Sequence, residues 1–123
     1  MYQGKLAQLI QHPSHVGELE NPSAMAEVTN PVCDDRLRLS IRVEDGIITE
    51  ARFKVYGCAP TIATGSMAAE LIRGKSLEDA LRITREEIDR AVGGLPHTKI
   101  HCATLAVDAI WAVIDDYRRR NPV

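Results

Sequence analysis

Apolar residues along the chain follow two periods, and the changes between them mark out the elements. Tyr2, Leu6, Leu9 and Ile10 recur at helical spacing, which predicts a short amphipathic helix over 2–11 that Pro13 ends. Between His12 and Pro31 three prolines, a glycine and several polar residues sustain no apolar period, so 12–32 is expected to be one long loop. A loop of that length in a small domain goes with mobility or function. The period then becomes two. Leu37, Leu39, Ile41 and Val43 alternate with Arg36, Arg38, Ser40 and Arg42, and Ile47, Thr49, Ala51, Phe53 and Val55 form a second alternating run. Asp45-Gly46 between them is a hairpin signal. One apolar and one charged face on each strand predict an antiparallel sheet covered on one side.

Helical spacing returns after Gly57-Cys58. Pro60 suits the first turn of a helix carrying Ala63, Met67 and Leu71 to Gly74. Ser76 with Asp79, and Thr84 with Glu87, read as two successive capping boxes opening short helices. Gly93-Gly94-Leu95-Pro96 is a break. The last helix runs from near His101 to about Arg119, with Leu105, Ala106, Ala109, Ile110, Val113 and Ile114 as its buried stripe. The architecture expected is α+β, a small antiparallel sheet with helices on one face. No internal repeat or second domain is visible, so 1–123 reads as one domain.

Composition narrows the function classes. Trp111, Phe53, Tyr2, Tyr56 and Tyr117 are the only aromatics, so aliphatics and alanines must fill the core. A net charge of −2 with acids and bases interspersed gives no basic face for tracking phosphates, and nucleic acid is not an expected partner. Arg118-Arg119-Arg120 falls where the last helix ends and there offsets the helix dipole. No stretch is apolar enough to span a membrane, and residues 1–11 lack a signal-peptide pattern, so the expected setting is cytoplasmic. In a reducing compartment, three cysteines without a close pair read as thiols or metal ligands rather than as a disulfide framework.

All three cysteines stand at junctions. Cys33 precedes the first alternating run, Cys58 sits at a strand-to-helix turn, and Cys102 starts the last helix. Residues so placed can meet at one end of a sheet. Helix N-termini beside Cys58 and Cys102 favour thiolate, the form that binds soft metals and attacks sulfur. Asp35 is two residues from Cys33, which in an extended segment puts both on one side, and His101 adjoins Cys102. Together they offer one ligand more than a tetrahedral site needs, unlike a closed structural zinc site. Spacing alone leaves open whether these residues share a metal.

The motifs resemble the iron–sulfur scaffold family typified by IscU and the N-terminal domain of NifU, over nearly the whole chain. His12-Pro13-Ser14-His15-Val16-Gly17 is similar to the family's Asn-Pro-Arg-Asn-Val-Gly element, Cys33-Asp34-Asp35 to its Cys-Gly-Asp, and Tyr2 to its N-terminal tyrosine. The run 51–58, ending in Gly57-Cys58, and the block Lys99-Ile100-His101-Cys102 with Leu105-Ala106 and Asp108-Ala109-Ile110 complete the resemblance. It implies a three-stranded antiparallel sheet with helices on one face. It also implies Cys33, Cys58 and Cys102 as cluster cysteines, Asp35 and His101 as exchangeable ligands, and Lys99 beside the site. Cys102 would be the acceptor of persulfide sulfur from a cysteine desulfurase.

The implied cargo is a transient [2Fe-2S] cluster, built with iron from an iron donor and passed to apo-proteins; zinc can stand in the apo site. The implied role is a scaffold or carrier, not an enzyme with turnover of its own. Two departures stand out. Asp34 replaces the glycine between Cys33 and Asp35, and Leu95-Pro96-His97-Thr98-Lys99 replaces a Leu-Pro-Pro-Val-Lys segment, which puts an Hsp70-type chaperone partner in doubt. The alternative is a zinc-bound SufU-like sulfur-transfer protein, whose insertion ahead of the last cysteine is not seen between Cys58 and His101. A cysteine hydrolase using Cys102 is disfavoured, because His101 as its immediate helical neighbour does not face it.

Overall fold

In the computed structural model, which describes residues 2–31 and 34–122, the two alternating runs become strands β2 (Arg36–Glu44) and β3 (Ile47–Tyr56). Asp45 and Gly46 join them with φ of 53° and 76°. Both values lie in the left-handed region, which a two-residue hairpin turn needs and which Asp and Gly tolerate best. A third strand, β1 (Ala24–Thr29), pairs antiparallel with β2 from Ala24↔Ile41 to Thr29↔Arg36. The sheet is therefore the expected three-stranded antiparallel one, in the order β1-β2-β3.

That strand corrects the reading of 12–32 as one long loop. Ala24, Ala26 and Val28 do alternate with Met25, Glu27 and Thr29. Two of those three positions are alanines, however, and their short side chains leave the alternation faint. Helix α1 (Gly4–Gln11) begins later than the expected 2–11, and Tyr2 precedes it, packed against the core.

Leu37, Leu39, Ile41, Ala51 and Phe53 are buried on the face that the helices cover. Helix α2 (Ala59–Ile72) lies against β3, while α5 (His101–Arg120) crosses β1 and β2. The predicted stripe of α5, from Leu105 to Ile114, is buried throughout at its six positions. Gly65 lets α2 settle onto the sheet: a Cβ there would stand 2.7 Å from Phe53 Cδ2 and 3.0 Å from Leu37 Cδ1. Between α2 and α5 lie α3 (Leu77–Leu81) and α4 (Arg85–Ala91). Thr84 and Glu87 form a reciprocal capping box, whereas Ser76 supplies only one half, accepting from the Asp79 amide. Gly93 and Gly94, both at positive φ, make the break, and a 3₁₀ turn (His97–Lys99) leads through Ile100 into α5.

The rest of the sheet is not left bare. Along the outer edge of β3, the Phe53 amide donates to His15 O (2.9 Å) and the Gly17 amide to Phe53 O (2.8 Å). At its other end, the Ile48 amide donates to Lys75 O (2.8 Å) and the Gly74 amide to Ile48 O (2.7 Å). The Leu19 amide then reaches Ser40 Oγ (3.1 Å) on the helix-free face, where Glu18 pairs with Arg38. His15 holds Glu70 of α2 at 2.6 Å. Arg118, Arg119 and Arg120 pair with Glu78, Asp115 and Asp116, in keeping with a helix-end role.

Candidate metal centre

Three segments converge at one end of the sheet. The first is the turn before β2. Its neck is closed by the Asn30 amide donating to Asp35 O and the Asp34 amide donating to Asn30 O, both at 2.8 Å. Asp34 has a φ of 60°. That conformation favours glycine, and aspartate is among the few other residues that tolerate it. The turn delivers Asp35, whose side chain is buried at 4% exposure. The second segment is the β3–α2 junction, where Cys58 is the N-cap of α2 with an extended backbone. The third is the first turn of α5, carrying Cys102 at 0% exposure.

The ligand atoms of Asp35, Cys58 and Cys102 all lie within 4.8 Å of one another. Cys58 Sγ is 3.8 Å from Cys102 Sγ, and the Cys58 thiol donates to Asp35 Oδ2 at 3.3 Å. Two residues that the sequence reading passed over make this packing work. Gly57 is one: a Cβ there would collide with the Asp35 carboxylate, its Cγ lying only 2.6 Å away. Thr61 is the other. It is fully buried, and its Oγ1 lies 3.0 Å from Asp35 Oδ2 and 3.3 Å from both Cys58 Sγ and Cys102 Sγ. The signal for Thr61 was its spacing, since a residue three positions after an N-cap folds its side chain back toward it.

Burial also revises the expected charge state of Cys102. The metal-free thiol is pushed up to about 12, first by burial, with the nearby Cys58 and Asp35 acting in the same direction; only the Thr61 hydrogen bond opposes them. Desolvation of an anion outweighs the helix N-terminus here. Cys102 is therefore a thiol in this closed arrangement, not the thiolate expected from its place in α5. Metal binding would displace that proton, as a cation at the sulfur reverses the local preference.

His101 stands outside the trio. It lines a neighbouring cavity of about 250 Å³ with Asn30, Pro31, Thr104 and Asp108. Lys99 is half-buried in the 3₁₀ turn before α5. Cys33, the third expected cluster cysteine, lies outside the described residues. Two sulfurs and a carboxylate form a mixed soft and hard donor set, suited to zinc or iron and short of the four donors of a closed tetrahedral site. Among the described residues, no helix is long and apolar enough to cross a membrane.

Comparison with known proteins identifies the family. The family described as "NifU-like N terminal domain" matches residues 1–123. The "Iron-sulfur cluster assembly scaffold protein IscU 1" of Archaeoglobus fulgidus is 45% identical over 121 residues, covering 98% of this chain and 79% of its own. The Escherichia coli "Iron-sulfur cluster assembly scaffold protein IscU" is 41% identical over 124 residues, covering 98% and 96%. In shape, the chain is similar to the crystal structure of a NifU-like N-terminal protein from Brucella abortus, with a TM-score of 0.77 over 97% of this chain and 95% of that one. At 19% identity that likeness speaks for the fold alone.

Proposed function

This chain belongs to the NifU-like N-terminal domain family, and from that premise we propose that it is a scaffold on which iron–sulfur clusters are assembled. The observation that carries the proposal is the convergence of Asp35, Cys58 and Cys102 within 4.8 Å, from three segments remote in sequence. Relatives at 41–45% identity are named for the same role. Cys33, Cys58 and Cys102 are the cluster thiols in this reading, with Asp35 or His101 completing the ligand set and Lys99 nearby. The cargo is a transient [2Fe-2S] cluster.

Sulfur enters covalently at Cys102. Once the site opens to solvent, Cys102 gives its proton to water and the thiolate attacks the terminal sulfur of a cysteine persulfide on a desulfurase; the donor's S–S bond breaks, and the donor cysteine leaves as a thiolate. The exchange is redox-neutral and leaves a persulfide on Cys102. Reduction of that sulfur to sulfide takes two electrons from an external thiol or electron carrier, and an iron donor supplies the metal. Because Cys102 is buried beneath Asp35 and Thr61, the donor must open this closure to reach it. Asp35 is a hard ligand among soft ones, and so leaves one iron corner exchangeable for an acceptor protein's thiol. The chain acts as a carrier, since its side chains end the cycle as they began. The SufU-like zinc alternative has less support, since the relatives above are named as IscU scaffolds.

Anaerobic reconstitution with iron, cysteine and a desulfurase tests the proposal. The expected result is visible absorption and a Mössbauer signature of a [2Fe-2S] cluster, together with a persulfide mass on Cys102. Cys102→Ser should lose most of that added sulfur, because a hydroxyl forms no such S–S bond. Persulfide at wild-type yield on Cys102→Ser would remove Cys102 from the acceptor role. Zinc retained with no cluster formed would favour sulfur relay over assembly.

A further inference from the structure

Among the described residues, Thr61 reaches all three members of the trio with a side chain that is not a customary metal ligand. Its Oγ1 lies 3.0 Å from Asp35 Oδ2, 3.3 Å from Cys58 Sγ and 3.3 Å from Cys102 Sγ. It is buried at 0% exposure, so water cannot stand in for it. A hydroxyl has one proton to donate and two lone pairs to accept with. In the metal-free site Thr61 Oγ1 has two acceptors within reach, Asp35 Oδ2 at the shorter distance and Cys102 Sγ, while the Cys58 thiol donates to Asp35 Oδ2. Every buried side-chain polar atom among the described residues is satisfied in this way.

The Thr61 hydroxyl thus bridges the carboxylate and both sulfurs from one buried position, and its proton is within reach of the Cys102 sulfur as well as of the carboxylate. We propose that Thr61 is a positioning residue of the scaffold site. Its hydroxyl holds the carboxylate and both sulfurs at one spacing and donates to the Cys102 sulfur. This rests on the scaffold reading, and it assigns to Thr61 the part usually taken by groups that orient ligands from behind. Without the hydroxyl, the three donors would be free to move apart, and the bound sulfur would keep more electron density.

Divalent cobalt is the probe, added to the reduced, metal-free 123-residue chain, since its sulfur-to-metal absorption reports both binding and the state of the sulfur. Thr61→Val keeps the side chain's outline and removes the hydroxyl. It should weaken cobalt binding by about 10–100-fold, as loss of such an outer partner commonly does, and should move the sulfur-to-cobalt band to lower energy. Thr61→Ser should restore both the affinity and the band. Circular dichroism checks each fold, and if Thr61→Val is unfolded, Thr61→Ala is held to the same criteria. Wild-type affinity and an unmoved band in the hydroxyl-free variant would overturn the role of Thr61 while leaving the scaffold reading intact. A loss in Thr61→Ser as large as in Thr61→Val would also overturn it, because packing and not the hydroxyl would be responsible. If the wild-type protein gave no sulfur-to-cobalt band at all, the metal site and this inference would fall together.

Discussion

Cys102 and Cys58 are 3.8 Å apart yet differ sharply in environment, one fully buried and the other partly exposed at the N-cap of a helix. The buried thiol holds its proton up to about 12, against an ordinary 9.0 for cysteine. Above pH 9 the unfolded chain therefore releases a proton that the folded, metal-free chain keeps, and the folded state is disfavoured as pH climbs toward 12. The slope for one such group approaches about 1.4 kcal/mol per pH unit. Urea denaturation of chelator-treated protein at pH 8, 9 and 10 should show this loss, and Cys102→Ser should flatten the decline relative to wild type. Equal slopes would mean that Cys102 titrates as an exposed thiol. Asp35, Cys58 and Cys102 were legible as candidates because thiols and carboxylates at element junctions carry a chemical signature in any sequence. Gly57 was not, since its role depends on a carboxylate that arrives from 22 positions away, and Thr61 offered only its spacing from Cys58, its other partner Asp35 lying 26 positions away.

At the scale of elements, the approach of α2 to β3 sets where Cys58 comes to rest. Gly65 is a point of close approach, with room for no Cβ beside Phe53. Gly65→Ala would gain in helix propensity, yet must push the helix off the sheet or turn the Phe53 ring. Overpacking of this kind costs about 1–3 kcal/mol, which outweighs the roughly 1 kcal/mol that alanine contributes in a helix. Thermal denaturation should therefore show Gly65→Ala less stable than wild type, and Gly65→Ala with Phe53→Leu should recover part of the loss. A more stable Gly65→Ala would show that the helix adjusts freely. The hairpin, the capped helix α4 and the stripe of α5 could be read directly, since each announces itself over a few neighbouring residues. β1 could not, because two small alanines sit where its apolar positions fall, and its pairing partner β2 is what makes it a strand.

At the scale of the molecule, the trio exists only when residues 35, 58 and 102 are brought together by the complete fold. An unfolded chain offers no such set, so a metal that binds here stabilises the whole domain. At free zinc of about a hundred times Kd the gain is about 2.7 kcal/mol, which for a chain of this size raises Tm by roughly 10 °C. Thermal melts with zinc and with chelator should differ by that order in wild type and converge in Cys58→Ser/Cys102→Ser. A shift that survives the double substitution would place zinc elsewhere. One further consequence comes from the outer edge of β3, whose backbone is engaged by His15 and Gly17 at Phe53 and by Gly74 and Lys75 at Ile48. Exposed strand edges are where chains zip into aggregates, and where many partners dock by extending a neighbour's sheet. At Phe53 and Ile48 the edge is already paired, so a strand from another chain cannot run along its length without displacing these bonds, and a partner approaching there meets loops and side chains first.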